Sequence, residues 1–359
     1  MTQTLPEARQ ELQSKLQKAV ELEFCTLPPY LTALWSIKPG KNIPAAVVVR
    51  SVLMEEMLHL TLAANVLTAV GGAAQLGEKN IPSYPLVLDF KGKRFKDRIL
   101  DIDLAPLSET GVQVFMQIEL PAGFAPTAAK ASPPNVVVSG LTIGQFYQGI
   151  ERDLKELCSR FGEKEVFSGD PSRQVSVEYY WRGGGRPVEV RELATALEAL
   201  KVITEQGEGA DHSLFDGDSH YFGQPEQVAH YFRFKEIYCA RKFAKTDKIH
   251  DEPSGDPLPV NYGDVFPLKV NCRGSDYQAA PELRTLNNRF NSTYSLMLSQ
   301  LTEGFTGNQE VFYTAIMNGM RNLTAIAEEM VQLPIPGHPQ GRHAAPSFEW
   351  FPPALGSAT

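Results

Sequence analysis

Apolar residues recur at steps of three and four along much of this chain, and the breaks in that rhythm divide it into elements. Leu16, Val20, Glu23, Leu27, Tyr30 and Leu34 keep helical phase through residues about 7–37. Val49, Val52, Glu56, His59, Ala63, Val66 and Val70 do the same in the next helix. Both stripes should face a core, so a carboxylate in the first, and a carboxylate with an imidazole in the second, fall where unpaired polar groups are costly. Pro28-Pro29 predicts a kink or local opening one turn beyond Glu23, freeing backbone carbonyls. The loop SIKPGKNIP closes the two helices into a hairpin, and Gly71-Gly72 ends the second. Glu55 lies about 100° off the stripe and reads as an ion-pair partner or a support for the inward groups.

From about 76 to 135 the period changes. YPLVLDF, ILDIDLAP and VQVFMQIELP are short, β-branched or aromatic, and separated by turn residues, which predicts irregular strands and loops covering one end of the helical body. Glu119, in the last of these runs, could reach a site but reads first as an ordinary solvent-facing residue. Helical phase returns over 141–161, with Thr142 as N-cap and Glu151 at the margin of the apolar stripe. A hairpin-like stretch, SVEYYWRGGGRPVEV, places Tyr179, Tyr180 and Trp181 beside a triple glycine, as sheet packing or a pocket wall. In the helix about 189–207, Leu193, Ala196, Leu197, Leu200 and Ile203 define the core face; Glu205 projects off it, and Glu208 falls among glycines, so periodicity alone leaves both solvated.

The next predicted helix, about 225–244, has two candidate stripes, one through His230, Phe234 and Ile237, the other through Ala229, Phe232, Glu236, Cys239 and Phe243. A lone His in such a stripe reads first as a hydrogen-bonded core residue. After a turn-rich connector (246–280), helices about 281–303 and 308–332 contain no His and are assigned to packing or dimerisation, and a Pro/Gly-rich tail lies across the surface or over a pocket mouth. The expected organisation is a helical body over 1–245, with a strand-rich insertion, and a C-terminal part over 246–359 packed on the same body.

Composition narrows the function without naming it. At 359 residues and 39.7 kDa, with 43% hydrophobic and 21% charged residues, the chain is ordinary for a globular protein. A net charge of -8 and no Lys/Arg cluster argue against nucleic acid. No apolar run reaches the ~20 residues that a bilayer needs and no signal sequence opens the chain, which predicts a cytoplasmic protein with neither membrane nor nucleic-acid partner. Cys25, Cys158, Cys239 and Cys272 form no C-x-x-C pair and read as reduced thiols.

The chemistry lies in E-x-x-H. Glu56 and His59 at i, i+3 have the spacing with which bundle helices present an oxygen and a nitrogen to one metal ion. Glu23, on the antiparallel neighbour, is the natural third ligand. With these residues in place, the strings ELEFCTLPPYLTALWSI, EEMLHLTLAANVLTAVGG, EQGEGA and HYFRFKEI, followed by RFNSTYSLML and PSFEW, resemble the ferritin-like domain family that includes the iminophenyl-pyruvate dimer synthases of bisindole pigment biosynthesis. The resemblance covers nearly the whole chain and implies a mainly α, ferritin-like helical bundle with a metal site, often iron, and oxidative chemistry. Carried over by position, it implies that Glu23, Glu56 and His59 are first-half ligands and that Glu205 and His230 stand where second-half ligands belong. Glu208 and Glu236 lie in the same motifs, with roles not separated from theirs. No second E-x-x-H is present, since His230 has Glu226 at i-4, so one ion or two both stay open. The expected function is an iron-dependent (or manganese-dependent) oxidoreductase using O2 on a small organic substrate, with a homodimer as a candidate state and Tyr30 read first as a packing residue and second as a support of the site or a radical relay. The alternative is a non-catalytic metal-binding or structural accessory protein.

Overall fold

The computed structural model describes residues 3–87, 101–121, 124, 142–181, 183–210 and 213–352. Helix α1 (Leu5–Trp35) starts from a capping box, in which Glu7 accepts from the Thr4 backbone and hydroxyl. It runs unbroken through Pro28 and Pro29. The missing N–H of Pro29 frees the Cys25 carbonyl, and the buried Tyr84 hydroxyl donates to that oxygen at 2.7 Å. The expected freed carbonyl is therefore real, but a neighbouring side chain satisfies it.

Helix α2 (Ile43–Ala69) packs along α1 as a hairpin and is buried on all sides from Glu55 onward. Such a helix must be surrounded by others. Helix α4 (Ile143–Phe161), capped by Thr142 as expected, packs on α1, and α6 (Leu193–Glu208) packs on both α2 and α4. The four helices close into a bundle in the cyclic order α1, α2, α6, α4. Because α6 is pressed from two sides, its buried positions include Ala199, Val202 and Gln206 beside the anticipated Ala196, Leu200 and Ile203.

Residues 109–118 form helix α3 (Glu109–Ile118), not the expected strand. Val112, Phe115 and Ile118 are spaced by three and pack against α8 (His230–Tyr238), which is shorter than the predicted 225–244 and also touches α2 and α6. The strand content described in the insertion is β1 (Leu86–Val87) paired antiparallel with β2 (Asp101–Ile102); the rest of the predicted strand runs between them lies outside the described residues. One-turn helices α5 (Glu163–Val166) and α7 (Asp218–Tyr221) lie in the connections. The described residues of 175–190 contain no strand, and where the sequence predicts a hairpin they form an irregular loop. Asn65 fastens it to α2, donating to the Val175 and Val188 carbonyls (both 3.1 Å) and accepting from the Val175 N–H (2.9 Å).

Helix α9 (Pro281–Gly304) pairs with α10 (Gln309–Thr314) and α11 (Met320–Met330); a π-helical turn at Ala315–Gly319 interrupts what the sequence predicts as one helix. The tail lies along α9, where Asn287 and Asn291 donate to the Ser347 hydroxyl and Phe348 stacks on Trp35. No helix among the described residues is long and apolar enough to cross a membrane, and the four cysteines are free.

Candidate metal centre

Five buried side chains converge where the bundle meets the α3/α8 pair: Glu23 from α1, Glu56 and His59 from α2, Glu119 just past the end of α3, and His230 at the first turn of α8. His59 Nδ1 lies 3.5 Å from both Glu23 Oε2 and Glu56 Oε1. His230 Nδ1 lies 2.9 Å from Glu56 Oε1 and 3.5 Å from Glu119 Oε2. Glu56 thus sits between two imidazoles, with Glu23 flanking one and Glu119 the other. Glu56, His59 and His230 alone bring their donor atoms within 4.8 Å of one another.

The outer edges of these groups are held. Tyr147 donates to Glu23, Tyr30 to Glu119 at 2.5 Å, and Thr26 to Glu56 at 2.7 Å. The Nε2 of His59 meets Gln206 Oε1 at 2.8 Å, and the Nε2 of His230 meets Glu55 Oε2 at 2.9 Å. With Nε2 carrying the proton toward those acceptors, each imidazole turns an Nδ1 lone pair inward, the arrangement of metal-bound histidines. The inward Nδ1 of His230 is buried and makes no hydrogen bond in spite of its near oxygens. Three carboxylates and two inward imidazole nitrogens, one of them orphaned, fit a hard or intermediate divalent cation such as iron or manganese.

The electrostatics of the protein alone agree with that fit. Burial, opposed by His59 and reinforced by Glu56, raises the pKa of Glu23; burial and Glu56 raise that of Glu119. Burial also raises Glu56, but His230 and His59 outweigh it and hold this carboxyl below its usual range. Burial would depress His59, yet Glu23 and Glu56 lift it to about 10, and His230 is raised by Glu119, Glu55 and Glu56 against the same opposition. The cluster attracts positive charge strongly enough to protonate imidazoles, and a metal ion is the alternative carrier of that charge.

The structure brings together Glu23, Glu56, His59 and His230 of the residues singled out from sequence. It places the others elsewhere. Glu205 is buried, not solvated as periodicity alone implies, because α6 is covered on more than one face, but its carboxylate is bonded to Tyr221 and lies 3.3 Å from Lys201; its neighbour Gln206 is the residue of α6 that reaches His59. Glu208 accepts from the Gly144 N–H, Glu236 from the Phe243 N–H, and Glu151 pairs with Lys155. Glu226, at i-4 from His230, caps the turn at Gly217 and Ser219. Tyr180 is buried and donates to Gly183. Glu119, which reads first from sequence as solvent-facing, is buried in the cluster; the three-residue spacing of Val112, Phe115 and Ile118 was the available signal that its segment is helical. Glu55 is an ion-pair partner as expected, bonded to Arg233 at 2.8 Å as well as to His230.

A cavity of about 530 Å³ opens on an adjacent face of α2, between the end of α1 and α11. Trp35, Met54, Met57 and Met320 are among its apolar lining, and Lys38, Lys41 and Arg50 outnumber Glu328 among its charges. None of the five cluster residues lines it, although Met57 directly follows Glu56.

A family model described as Ferritin-like matches residues 16–239. The chain is similar to dichlorochromopyrrolate synthase of Lentzea aerocolonigenes, 25% identical over 325 residues, and to 2-imino-3-(indol-3-yl)propanoate dimerase of Chromobacterium violaceum, 24% identical over 335 residues. Each alignment covers 83% of this chain but 29% of the relative, so the chain spans under a third of their length. A crystal structure of a ferritin-like protein from Caulobacter vibrioides shares the fold, with a TM-score of 0.59 and 21% identity over 96% of this chain and 99% of that one.

Proposed function

The chain belongs to the Ferritin-like family, and on that premise we propose that it is an iron-dependent oxidoreductase of a biosynthetic pathway, acting on a small aromatic, amino-acid-derived substrate. The observation that carries this reading is the inward, unbonded Nδ1 of His230 facing Glu56 and Glu119. Glu23 and His59 would hold one ion, Glu119 and His230 a second, with Glu56 shared between them. When bound, iron supplies one-electron redox chemistry with O2 as co-substrate.

The chain's own groups do the rest. Tyr147, Tyr30 and Thr26 fix the three carboxylates by hydrogen bonds, so their inner oxygens are aimed before a metal arrives. Gln206 and Glu55 hold the imidazole tautomers. The near-complete burial of all five ligands excludes bulk water and strengthens every charge interaction inside. The apolar, methionine- and tryptophan-lined cavity with a cationic surplus suits an aromatic carboxylate, the chemistry that the indolyl-propanoate relative's name also specifies.

Metal analysis of the purified chain, before and after anaerobic loading with Fe(II), tests the reading. Two irons per chain, lost in Glu56→Ala and His59→Ala, together with O2 consumption when an aromatic imine is supplied, are expected. Full metal retention in both variants would refute the site. Stoichiometric iron with no O2 uptake would favour a non-catalytic accessory role instead.

A further inference from the structure

Behind the metal centre lies a second buried acidic group, Glu55, Asp216 and Asp218. It is not a second cation site, because the Arg233 guanidinium already occupies it, with Nη1 2.8 Å from Glu55 Oε1 and Nη2 2.7 Å from Asp216 Oδ2. What the group does is visible in where its hydrogen bonds lead. From Asp218, Oδ1 accepts Gln206 Nε2 at 2.7 Å, and Gln206 Oε1 meets His59 Nε2. From Asp216, the path runs through Arg233 to Glu55 and on to His230 Nε2. The two paths join, since the Asp218 N–H donates to Asp216 Oδ1 at 3.2 Å. Both aspartates sit on the turn around Gly217, which has φ +77°, and both are essentially inaccessible.

We propose that the Asp216–Asp218 turn is one positioning element that orients the imidazoles of both halves of the metal site. The inference rests on the metal reading above. Residues that hydrogen-bond to a metal-bound histidine typically change metal affinity by about 10–100-fold when removed. Here two such partners, Gln206 and Glu55, are anchored to a single turn, so the two halves are set by one piece of backbone. Gln206 is additionally steadied by the Gly184 carbonyl at 3.0 Å.

The test is anaerobic titration of the metal-free chain with Co(II) against a competing chelator, following the visible Co(II) spectrum, for the wild type and five variants. Gln206→Met should weaken one ion by about 10–100-fold and leave the other, and Glu55→Gln should do the converse. Asp216→Ala, which removes both the Arg233 contact and the oxygen that holds the Asp218 N–H, should weaken both. Asp218→Ala should behave like Gln206→Met, while Asp218→Asn, which keeps an oxygen to accept from Gln206, should restore affinity. That rescue is what a merely structural aspartate would not give, and circular dichroism of each metal-free variant confirms folding. Wild-type affinity for both ions in Asp216→Ala and Asp218→Ala would overturn the proposal while leaving the metal site intact. A wild-type chain that takes up no metal would overturn both.

Discussion

Replacing Gly184 by alanine probes the contact on which the loop 183–185 depends. Gly184 has φ +71°, and a Cβ there would come within 2.7 Å of Glu55 Cα, 2.8 Å of Glu55 N and 2.8 Å of the Met54 carbonyl carbon. These atoms belong to the backbone of α2 and cannot rotate aside. Gly40 provides the control, because its φ is +74° and nothing lies within 4 Å of its would-be Cβ. Gly40→Ala therefore costs only the left-handed backbone, about 1 kcal/mol. Gly184→Ala costs the same strain plus overpacking of about 1–3 kcal/mol. The two alanine variants should differ in melting temperature by about 1–4 °C in differential scanning calorimetry, since a chain of this length moves by little more than a degree per kcal/mol. Gly184→Ala should also disturb Gln206, whose amide donates to the carbonyl of that residue. Equal melting temperatures for the pair would refute the argument that the glycine loop rests on the helix that carries Glu55 and Glu56.

Tyr84→Phe should destabilise the fold by about 1–3 kcal/mol in urea unfolding, because it leaves the buried Cys25 carbonyl, already without its helical partner, unsatisfied. Asn65→Ala removes all three hydrogen bonds that fasten residues 175–188 to α2 and should cost about 2–4 kcal/mol by the same measurement. Glu205→Gln should leave metal stoichiometry unchanged by elemental analysis, since its carboxylate is engaged with Tyr221 and Lys201. Burial, with Glu55 and Asp216 nearby, pushes the Asp218 carboxyl up to about 7 from an ordinary 3.8. The folded state then holds a proton over pH 4–7 that the unfolded state has lost, so this group's contribution to stability falls as pH rises through that window. In the metal-free chain, Asp218→Asn should gain on the wild type between pH 5 and 8, and a constant difference across that range would contradict the assignment.

The first half of the candidate site was legible because α1 and α2 are long and strongly periodic, so Glu23, Glu56 and His59 stand out as polar interruptions of apolar stripes. The carboxylate beside His230 was not, for two physical reasons. Glu119 follows a helix of ten residues, too short to impose a clear period on a run rich in Val, Ile and Phe. Its burial depends on α3 docking against α8, a contact between segments far apart in sequence. Helix α6 illustrates a related limit: pressed between α2 and α4, it buries more than one face, and its helical wheel could not show that Gln206, not Glu205, turns toward His59. The resemblance pointed to Glu205, and the structure turns its neighbour Gln206 to His59 instead.

The placement of the five clustered residues along the chain bears on the order in which the cluster can be built. Glu23, Glu56 and His59 come from one hairpin whose loop is short, so the entropy of bringing them together is small and they can meet early in folding. Glu119 and His230 must travel much further, and they arrive on α3 and α8, which pack on one another. A chain emerging from synthesis would therefore present a three-toothed chelate before its second half exists. On the proposed metal reading, the later helices would close over an ion already held by the hairpin, and its release would require α3 and α8 to open.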